Sequence, residues 1–170
     1  HMADLDGDGD LDILAVSAWD DRVTWFENLD GLGDYSGPVE VSQSIDRPTS
    51  VSAADLDADG DLDVLVAAYD GGMVVWYENL GNAAAFSTEN IIAQGLERTW
   101  HATSADVDGD GDLDVVSATQ SGQNVRIAGR LAWYANDGMG NFGPLQLIST
   151  DFYDLRKVEA GDLDGVGDLD

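Results

Sequence analysis

Three nine-residue stretches of the sequence place aspartates at every second position around a glycine. They read DLDGDGDLD from residue 4, DLDADGDLD from residue 55 and DVDGDGDLD from residue 106. Carboxylates packed this densely repel one another unless a cation neutralises them. The shared pattern Asp-x-Asp-x-Asp-Gly-x-x-Asp therefore indicates loops that bind a hard divalent cation, which takes about six to eight oxygen ligands.

Each position of such a loop has an expected role. Positions 1, 3 and 5 supply carboxylates, and the glycine at position 6 allows a sharp turn with a positive φ. Position 7 donates its main-chain carbonyl, and position 9 closes the site through one or both of its carboxylate oxygens. The expected ligand residues are Asp4, Asp6, Asp8, Asp10 and Asp12 in the first loop, Asp55, Asp57, Asp59, Asp61 and Asp63 in the second, and Asp106, Asp108, Asp110, Asp112 and Asp114 in the third.

Calcium is the expected ion, at about three sites. Magnesium prefers a tight octahedron and keeps several waters, and the absence of histidine and cysteine from the loops argues against zinc. A fourth stretch, DLDGVGDLD, carries Val166 in place of the third aspartate, so we expect a weak site or none there. Its candidate ligands are Asp162, Asp164, Asp168 and Asp170.

Two other interpretations of the loops compete with this one. They could be solvated acidic turns without a metal. This interpretation is the weaker one because three copies match and carry a glycine at the same position. They also resemble the first half of an EF-hand, whose site is closed by a glutamate at position 12. Here position 12 is Ala15, Val66 or Ser117, and a run of strand-forming residues follows instead of a helix.

The loops mark an internal repeat. They begin at Asp4, Asp55, Asp106 and Asp162, which gives periods of 51, 51 and 56 residues. The second unit shows four short apolar runs bounded by Gly, Asn and Asp, which predict strands at 48–54, 63–69, 73–79 and 86–94. Four strands in a period of about 50 residues are typical of a propeller blade. We therefore predict an all-β fold, a single partial β-propeller over residues 1–170, with repeat units at 3–53, 54–104, 105–160 and, in part, 161–170.

The composition narrows the class of function. Thirty-four acidic residues against seven basic ones give a formal charge of −27, which argues against binding nucleic acid or anionic lipid. An apolar content of 44% argues against a disordered acidic chain. No apolar run is long enough to insert in a membrane, and the chain has no cysteine. His1 and Met2 are interpreted as a cloning remnant, and both ends as cuts in a larger protein.

The basic residues indicate a second candidate site. The turns of an antiparallel meander alternate between its two ends, so all seven bases map to the end opposite the metal loops. Aromatic residues collect there too, and aromatic rings beside Arg and acidic groups suit a carbohydrate or a protein ligand. The candidates are Arg47, Arg98, Arg130, Trp19, Tyr69 and Trp100.

An alternative interpretation gives these residues a structural role. Arg47 and Arg98 would pair with their neighbours Asp46 and Glu97, and the rings would pack between blades. Trp25, Trp76 and Trp133 are expected in the core.

The stretches ADLDGDGDLDILAV, ADLDADGDLDVLVA and ADVDGDGDLDVVSA resemble FG-GAP/VCBS-type repeats, the calcium-binding blades of integrin α-subunit-like β-propellers. WFENLDG and WYENLGN fit the third strand of that family, although its Phe-Gly and Gly-Ala-Pro signatures survive only as NFGP at 141–144. The resemblance implies a seven-bladed ring and an extracellular or cell-surface binding, adhesion or scaffolding role.

The two ends of the sequence do not coincide with the ends of repeat units. The first unit begins at its loop, so we expect blade 1 to lack its own first strand, and residues 154–160 to form a first strand without a blade. Open blade edges would then allow self-association.

The sequence shows no recognisable catalytic group. No nucleophile, base and orienting group can be recognised together, so we expect no enzyme activity. The alternative is a propeller that forms part of a polysaccharide-active enzyme such as a lyase.

Overall fold

The computed structural model describes residues 1–81, 85–120 and 129–161, and all the regular structure in them is β. Twelve strands form three antiparallel sheets of four, and within each sheet the strands lie in chain order. No helix long and apolar enough to cross a membrane occurs in this part of the chain. The predicted all-β fold of propeller blades is confirmed, and the described sheets do not close into a ring.

The strand bounds are as follows. Blade 1 contains β1 (Met2–Ala3), β2 (Asp12–Ser17), β3 (Arg22–Phe26) and β4 (Val39–Ser42). Blade 2 contains β5 (Pro48–Ala54), β6 (Asp63–Ala68), β7 (Met73–Tyr77) and β8 (Asn90–Ala93). Blade 3 contains β9 (Thr99–Ala105), β10 (Asp114–Thr119), β11 (Gly129–Tyr134) and β12 (Gln146–Phe152). In blade 2 only the last strand departs clearly from expectation, since Phe86 forms an isolated bridge with Asn79 and β8 begins later.

The core lies in two layers between neighbouring blades. Alternate residues of β6 face opposite ways, so Val64 and Val66 pack against blade 1 while Leu65 and Ala67 pack against blade 3. All six residues of β6 are buried because the strand lies between two sheets. Burying one such aliphatic side chain contributes about 1.5–3 kcal/mol. This packing of blade on blade fixes the positions of the three acidic loops relative to one another.

A tryptophan recurs in the third strand of each blade, and its burial depends on whether another blade packs against it. Trp25 and Trp76 are 1% and 5% exposed, so their predicted place in the core is confirmed. Trp133 is only half-buried, because the face of blade 3 that corresponds to the inter-blade layers has no further described blade against it.

Two expectations about the first strands of blades are wrong. Blade 1 has a short first strand, since Met2 and Ala3 pair with Ile13 and Asp12, and the main chain of His1 bonds that of Leu14.

The segment 154–160 is not a strand in the structure, and its Val158 instead lines a pocket on the outer face of blade 3 with Val107, Val116 and Leu131. Residues 121–128 of the third unit and the whole fourth loop, 162–170, lie outside the described residues. Self-association through open edges stays a prediction.

Candidate metal centres

Each acidic loop connects the first strand of a blade to the second. The three loops therefore lie at the same end of the blades, between β1 and β2, between β5 and β6, and between β9 and β10. Position 9 of each loop is also the first residue of the second strand, which anchors the loop in the sheet. The sequence repeat thus becomes a row of similar sites along one edge of the molecule.

The loop is closed by its own first carboxylate. In the second loop the N–H of Gly60 donates to Asp55 Oδ2 at 3.2 Å, and the equivalent bond is 3.1 Å long in both other loops. The position-6 glycines have φ values of 96°, 99° and 100°, a region that side chains disfavour. The predicted turn at position 6 is confirmed, and it curls the chain around the carboxylates of positions 1, 3 and 5.

Each loop brings carboxylate oxygens within 4.8 Å of one another. Oxygens around one calcium ion, at about 2.3–2.6 Å from it, lie at most about 5 Å apart, so these groups are compact enough to share an ion. The groups are Asp4, Asp6 and Asp8 in the first loop, Asp55, Asp57 and Asp63 in the second, and Asp106, Asp108 and Asp114 in the third. A further group joins Asp57 and Asp59 to Glu78, which the sequence analysis missed.

Two buried oxygens test whether a cation fits. Asp4 Oδ1 and Asp55 Oδ1 are buried and have no hydrogen-bond partner, although the other oxygen of each carboxylate accepts the glycine N–H. An unpaired buried carboxylate oxygen is costly unless a donor or a metal satisfies it. In the third loop the equivalent oxygen of Asp106 accepts the N–H of Gly109 at 2.8 Å. The donor sets of the first two loops therefore fit a cation.

Position 9 has a structural task as well. Asp12, Asp63 and Asp114 are at most 1% exposed, and each accepts two main-chain N–H groups. In the second loop these come from Leu56 and Asn79, both at 2.9 Å. Each oxygen keeps a lone pair, so Asp63 can still serve as a ligand while it fastens the loop to the blade.

Position 7 faces away from the clusters. The side chains of Asp10, Asp61 and Asp112 lie against glycines in the turn between the third and fourth strands. A Cβ built on Gly81 would lie 2.8 Å from Asp61 Oδ2, which leaves no room for a larger residue. Position 7 therefore has only its main-chain carbonyl to offer a metal, which is the role that the loop pattern predicts for it.

Four of the loop carboxylates resist ionisation when no cation is bound. Burial raises the pKa of Asp63 to about 7, against the hydrogen bonds from Asn79 and Leu56 that oppose the shift. Burial also raises the pKa of Asp6, Asp57 and Asp108, and neighbouring aspartates push each of these pKa values further up. A cation would reverse the balance by stabilising the charged forms.

The family model for the FG-GAP-like repeat matches residues 4–66, 58–117 and 106–170, which together span nearly the whole chain. The chain belongs to the FG-GAP-like repeat family. No curated protein matches it. Among solved structures it is similar to a lectin from Agrocybe aegerita, described for its specific recognition of non-reducing terminal N-acetylglucosamine, with 21% identity and a TM-score of 0.61. The match covers 90% of this chain and 39% of the lectin, so the chain spans about two fifths of its length.

In the second and third FG-GAP-like repeats one asparagine ties neighbouring loops together, and the sequence analysis missed it. The side-chain N–H groups of Asn79 donate to Leu62 O of its own loop at 3.2 Å and to Leu5 O of the loop before it at 2.8 Å. Asn136 makes the same pair of bonds, at 3.0 and 2.7 Å. The signal was present, because an asparagine stands three residues after the core tryptophan in all three units.

The opposite end of the blades carries a strip of stacked arginines and aromatic rings. The guanidinium carbon of Arg47 lies 5.2 Å from the centre of the Trp19 ring and 4.4 Å from that of Tyr69. Tyr69 meets Trp100 edge-to-face with 4.8 Å between ring centres, and Arg98 lies 5.6 Å from the Tyr69 ring. We call these five residues the aromatic strip.

Polar partners hold the strip in place. Trp100 Nε1 and Tyr69 Oη both donate to Gln120 Oε1, at 3.1 and 3.4 Å. Arg47 pairs with Asp70 at 3.3 Å, so the expectation that Asp46 is its partner is wrong.

The sixth candidate, Arg130, lies apart from these contacts. It is exposed, and its main-chain N–H donates to Thr119 Oγ1. Trp19 is 86% exposed, an unusual position for so large a ring.

Proposed function

We propose that the chain is a calcium-stabilised, non-catalytic binding scaffold that acts outside the cell or at its surface on a carbohydrate or protein ligand. One observation carries the metal part of this proposal. Asp4 Oδ1 and Asp55 Oδ1 are buried without a hydrogen-bond partner inside groups of converging carboxylates. Such atoms destabilise the native state unless a cation coordinates them.

Calcium suits the loops better than other ions. The donors are carboxylate oxygens on a flexible, glycine-containing loop, and hard oxygen ligands in a loose geometry favour calcium over magnesium or zinc. An ion that binds the native state and not the unfolded chain stabilises the protein, by about 4 kcal/mol when its concentration is a thousand times its Kd. Calcium is therefore expected to act as a folding ligand.

Calcium titration followed by native mass spectrometry tests the metal. We expect three bound ions and a higher melting temperature in calcium than in EDTA, with magnesium much less effective. Asp55→Asn should lower the count by one, whereas Asp70→Asn, in an exposed ion pair at the other end, should keep all three. Identical melting curves in calcium and EDTA would overturn the proposal.

The aromatic strip is the proposed ligand site. The solvent-exposed ring of Trp19 offers a flat apolar surface for the C–H face of a pyranose. Beside it, Arg47 offers a hydrogen-bond donor and Asp70 an acceptor. Because Arg47 is already paired with a carboxylate, a neutral sugar suits the site better than an anionic one. The likeness to a lectin supports the fold and is compatible with this ligand class.

A glycan array followed by titration calorimetry tests the ligand. Trp19→Ala and Arg47→Ala should both abolish or strongly weaken binding, whereas Arg22→Ala, which removes an exposed pair with Glu40 outside the strip, should leave the affinity unchanged. Equal affinity of all three variants for the same glycan would reject the strip as the site. Incubation with polysaccharides, with and without EDTA, should yield no new reducing ends or unsaturated products.

A further inference from the structure

The three metal loops differ at position 4. The dipeptides formed by positions 3 and 4 are Asp6–Gly7, Asp57–Ala58 and Asp108–Gly109, and position 4 has a positive φ of 75°, 60° or 79°. The N–H of Gly109 donates to Asp106 Oδ1 at 2.8 Å. The N–H of Gly7 has no hydrogen-bond partner within the described ranges, Gly7 is exposed, and no heavy atom lies within 4 Å of the place of a Cβ.

We propose that Asp6–Gly7 is a site of spontaneous aspartate isomerisation, open when the first loop is empty and closed when a cation occupies it. The main-chain nitrogen of Gly7 attacks Cγ of Asp6. An N–Cγ bond forms, the Cγ–OH bond breaks, and the hydroxyl leaves with the amide proton as water. Glycine favours this step because no Cβ obstructs the approach.

The resulting five-membered succinimide then takes up one water. Opening at the side-chain carbonyl restores aspartate, whereas opening at the main-chain carbonyl gives isoaspartate. The second product adds a methylene to the backbone and shortens the carboxylate arm of position 3. Since a metal loop depends on the placing of its carboxylates, isoaspartate at residue 6 would damage the first site permanently.

Other Asp–Gly pairs among the described residues are protected. At position 6 of each loop the glycine N–H is held by the position-1 carboxylate, and the N–H of Gly71 donates to Asp46 O at 3.1 Å. Asp30 and Asp137 each accept two main-chain N–H groups through one oxygen, which keeps these carboxyls ionised and so keeps hydroxide from leaving. Asp6 accepts only one, from Asp8 at 3.3 Å.

The role of the cation rests on the proposed function. A cation bound to the Asp6 carboxylate would fix its oxygens toward the loop centre, away from attack by the Gly7 nitrogen. The first loop would then be durable only while it is loaded. The second loop carries Ala58 at the same position, so it is expected to survive an empty period that the first does not.

Isoaspartate mapping tests the proposal. The whole chain is held at neutral pH and physiological temperature in EDTA or in calcium, then digested and analysed by isoaspartyl methylation and mass spectrometry. In EDTA, isoaspartate should accumulate at Asp6 severalfold faster than at Asp57 or Asp137, and calcium should suppress it. Gly7→Ala, which copies the second loop, should remove the Asp6 signal, and Ala58→Gly should create one at Asp57.

The outcomes separate this proposal from the proposed function. Equal rates at Asp6 and Asp57 in EDTA, or no gain in Ala58→Gly, would overturn the isomerisation site. Isomerisation that proceeds at the same rate after native mass spectrometry shows calcium bound would overturn the protective role of the cation. If no calcium binds at all, the proposed function is wrong. The rates measured in EDTA then still show whether Asp6–Gly7 is an isomerisation site.

Discussion

The two ends of the blades manage the same excess of acid in different ways. At the loop end, carboxylates converge on one another, with buried oxygens that no described donor satisfies. At the strip end, some acids are paired with arginines, as Asp70 is with Arg47 and Asp154 with Arg156. Under the proposed function the loop end would need a cation from solution, whereas at the strip end these acids already have a partner in the chain.

The ends also differ in how they use the repeat. The loop residues recur at the same position of every unit, which gives three similar sites. The rings of the aromatic strip come from positions that do not correspond to one another in the repeat, and only Arg47 and Arg98 are equivalent. A repeated end is suited to holding the fold, and a varied end is suited to recognising something. Substitutions and pH changes at each end can test this division.

The largest effect is expected from pH at the loop end in the absence of metal. The pKa of Asp63 is about 7 in the native state against its ordinary value of 3.8, so the native state binds more protons than the unfolded chain between these values. Stability in EDTA should therefore be greatest near pH 4 and fall as the pH rises to about 7, by up to about 4 kcal/mol. Urea unfolding across this range measures the slope.

Two controls accompany the pH experiment. Asp63→Asn removes the titrating group and should flatten most of the slope. Saturating calcium should reverse it, because the ion binds ionised carboxylates and loses affinity as they are protonated. A wild-type chain that gains stability in EDTA between pH 4 and 7 would contradict the assignment of Asp63 as the dominant group.

The sequence was enough to predict the loop end but not the contacts around it. The metal pattern repeats three times and is local, so spacing alone indicated the converging carboxylates. Glu78 was missed because the third unit has Ala135 in its place, which hides it from a search for repeats. The bond of Asn79 to Leu5 O joins residues 74 positions apart, and no local pattern reports which carbonyl lies across a blade interface.

The strip was predicted only as a set of residues. The alternation of turns placed Trp19, Tyr69 and Trp100 at one end, but their stacking on arginines depends on how adjacent blades are rotated and packed. The same argument grouped Arg130 with them, although in the structure it lies beside Thr119, away from the rings. The prediction of a strand at 154–160 was wrong for a related reason, since no strand among the described residues lies beside this segment to pair with it.

The next effect in size concerns the asparagine between loops. Asn79→Ala leaves the carbonyls of Leu5 and Leu62 without this donor and should cost about 1–3 kcal/mol. Asn28 is the matched control, because the side-chain bond given for it goes only to Leu11 O of its own loop, at 3.2 Å. Asn28→Ala should therefore cost less. Equal losses in urea unfolding would show that the bond between blades contributes nothing measurable.

A gain in stability is expected at position 4 of the second loop. Ala58 has a φ of 60°, and an L-residue in the left-handed region costs about 1–2 kcal/mol, part of which glycine would recover. Ala58→Gly should raise the melting temperature by a few degrees in calcium and in EDTA alike. Gly7→Ala is the reciprocal change in the first loop and should lower it. A fall in both variants would mean that the loop backbone is not strained at this position.

The smallest effect on stability is expected at the strip end, where the loss of binding should be large. Arg47→Ala removes one exposed ion pair and two ring contacts, worth about 1 kcal/mol together. The number of bound calcium ions should not change, because no strip residue belongs to the converging groups. Arg130→Ala, outside the strip, should change neither stability nor ligand affinity. If Arg47→Ala instead lowered the calcium count, the two ends would be coupled through the blades, and the division of labour between a metal-stabilised end and a recognition end would be wrong.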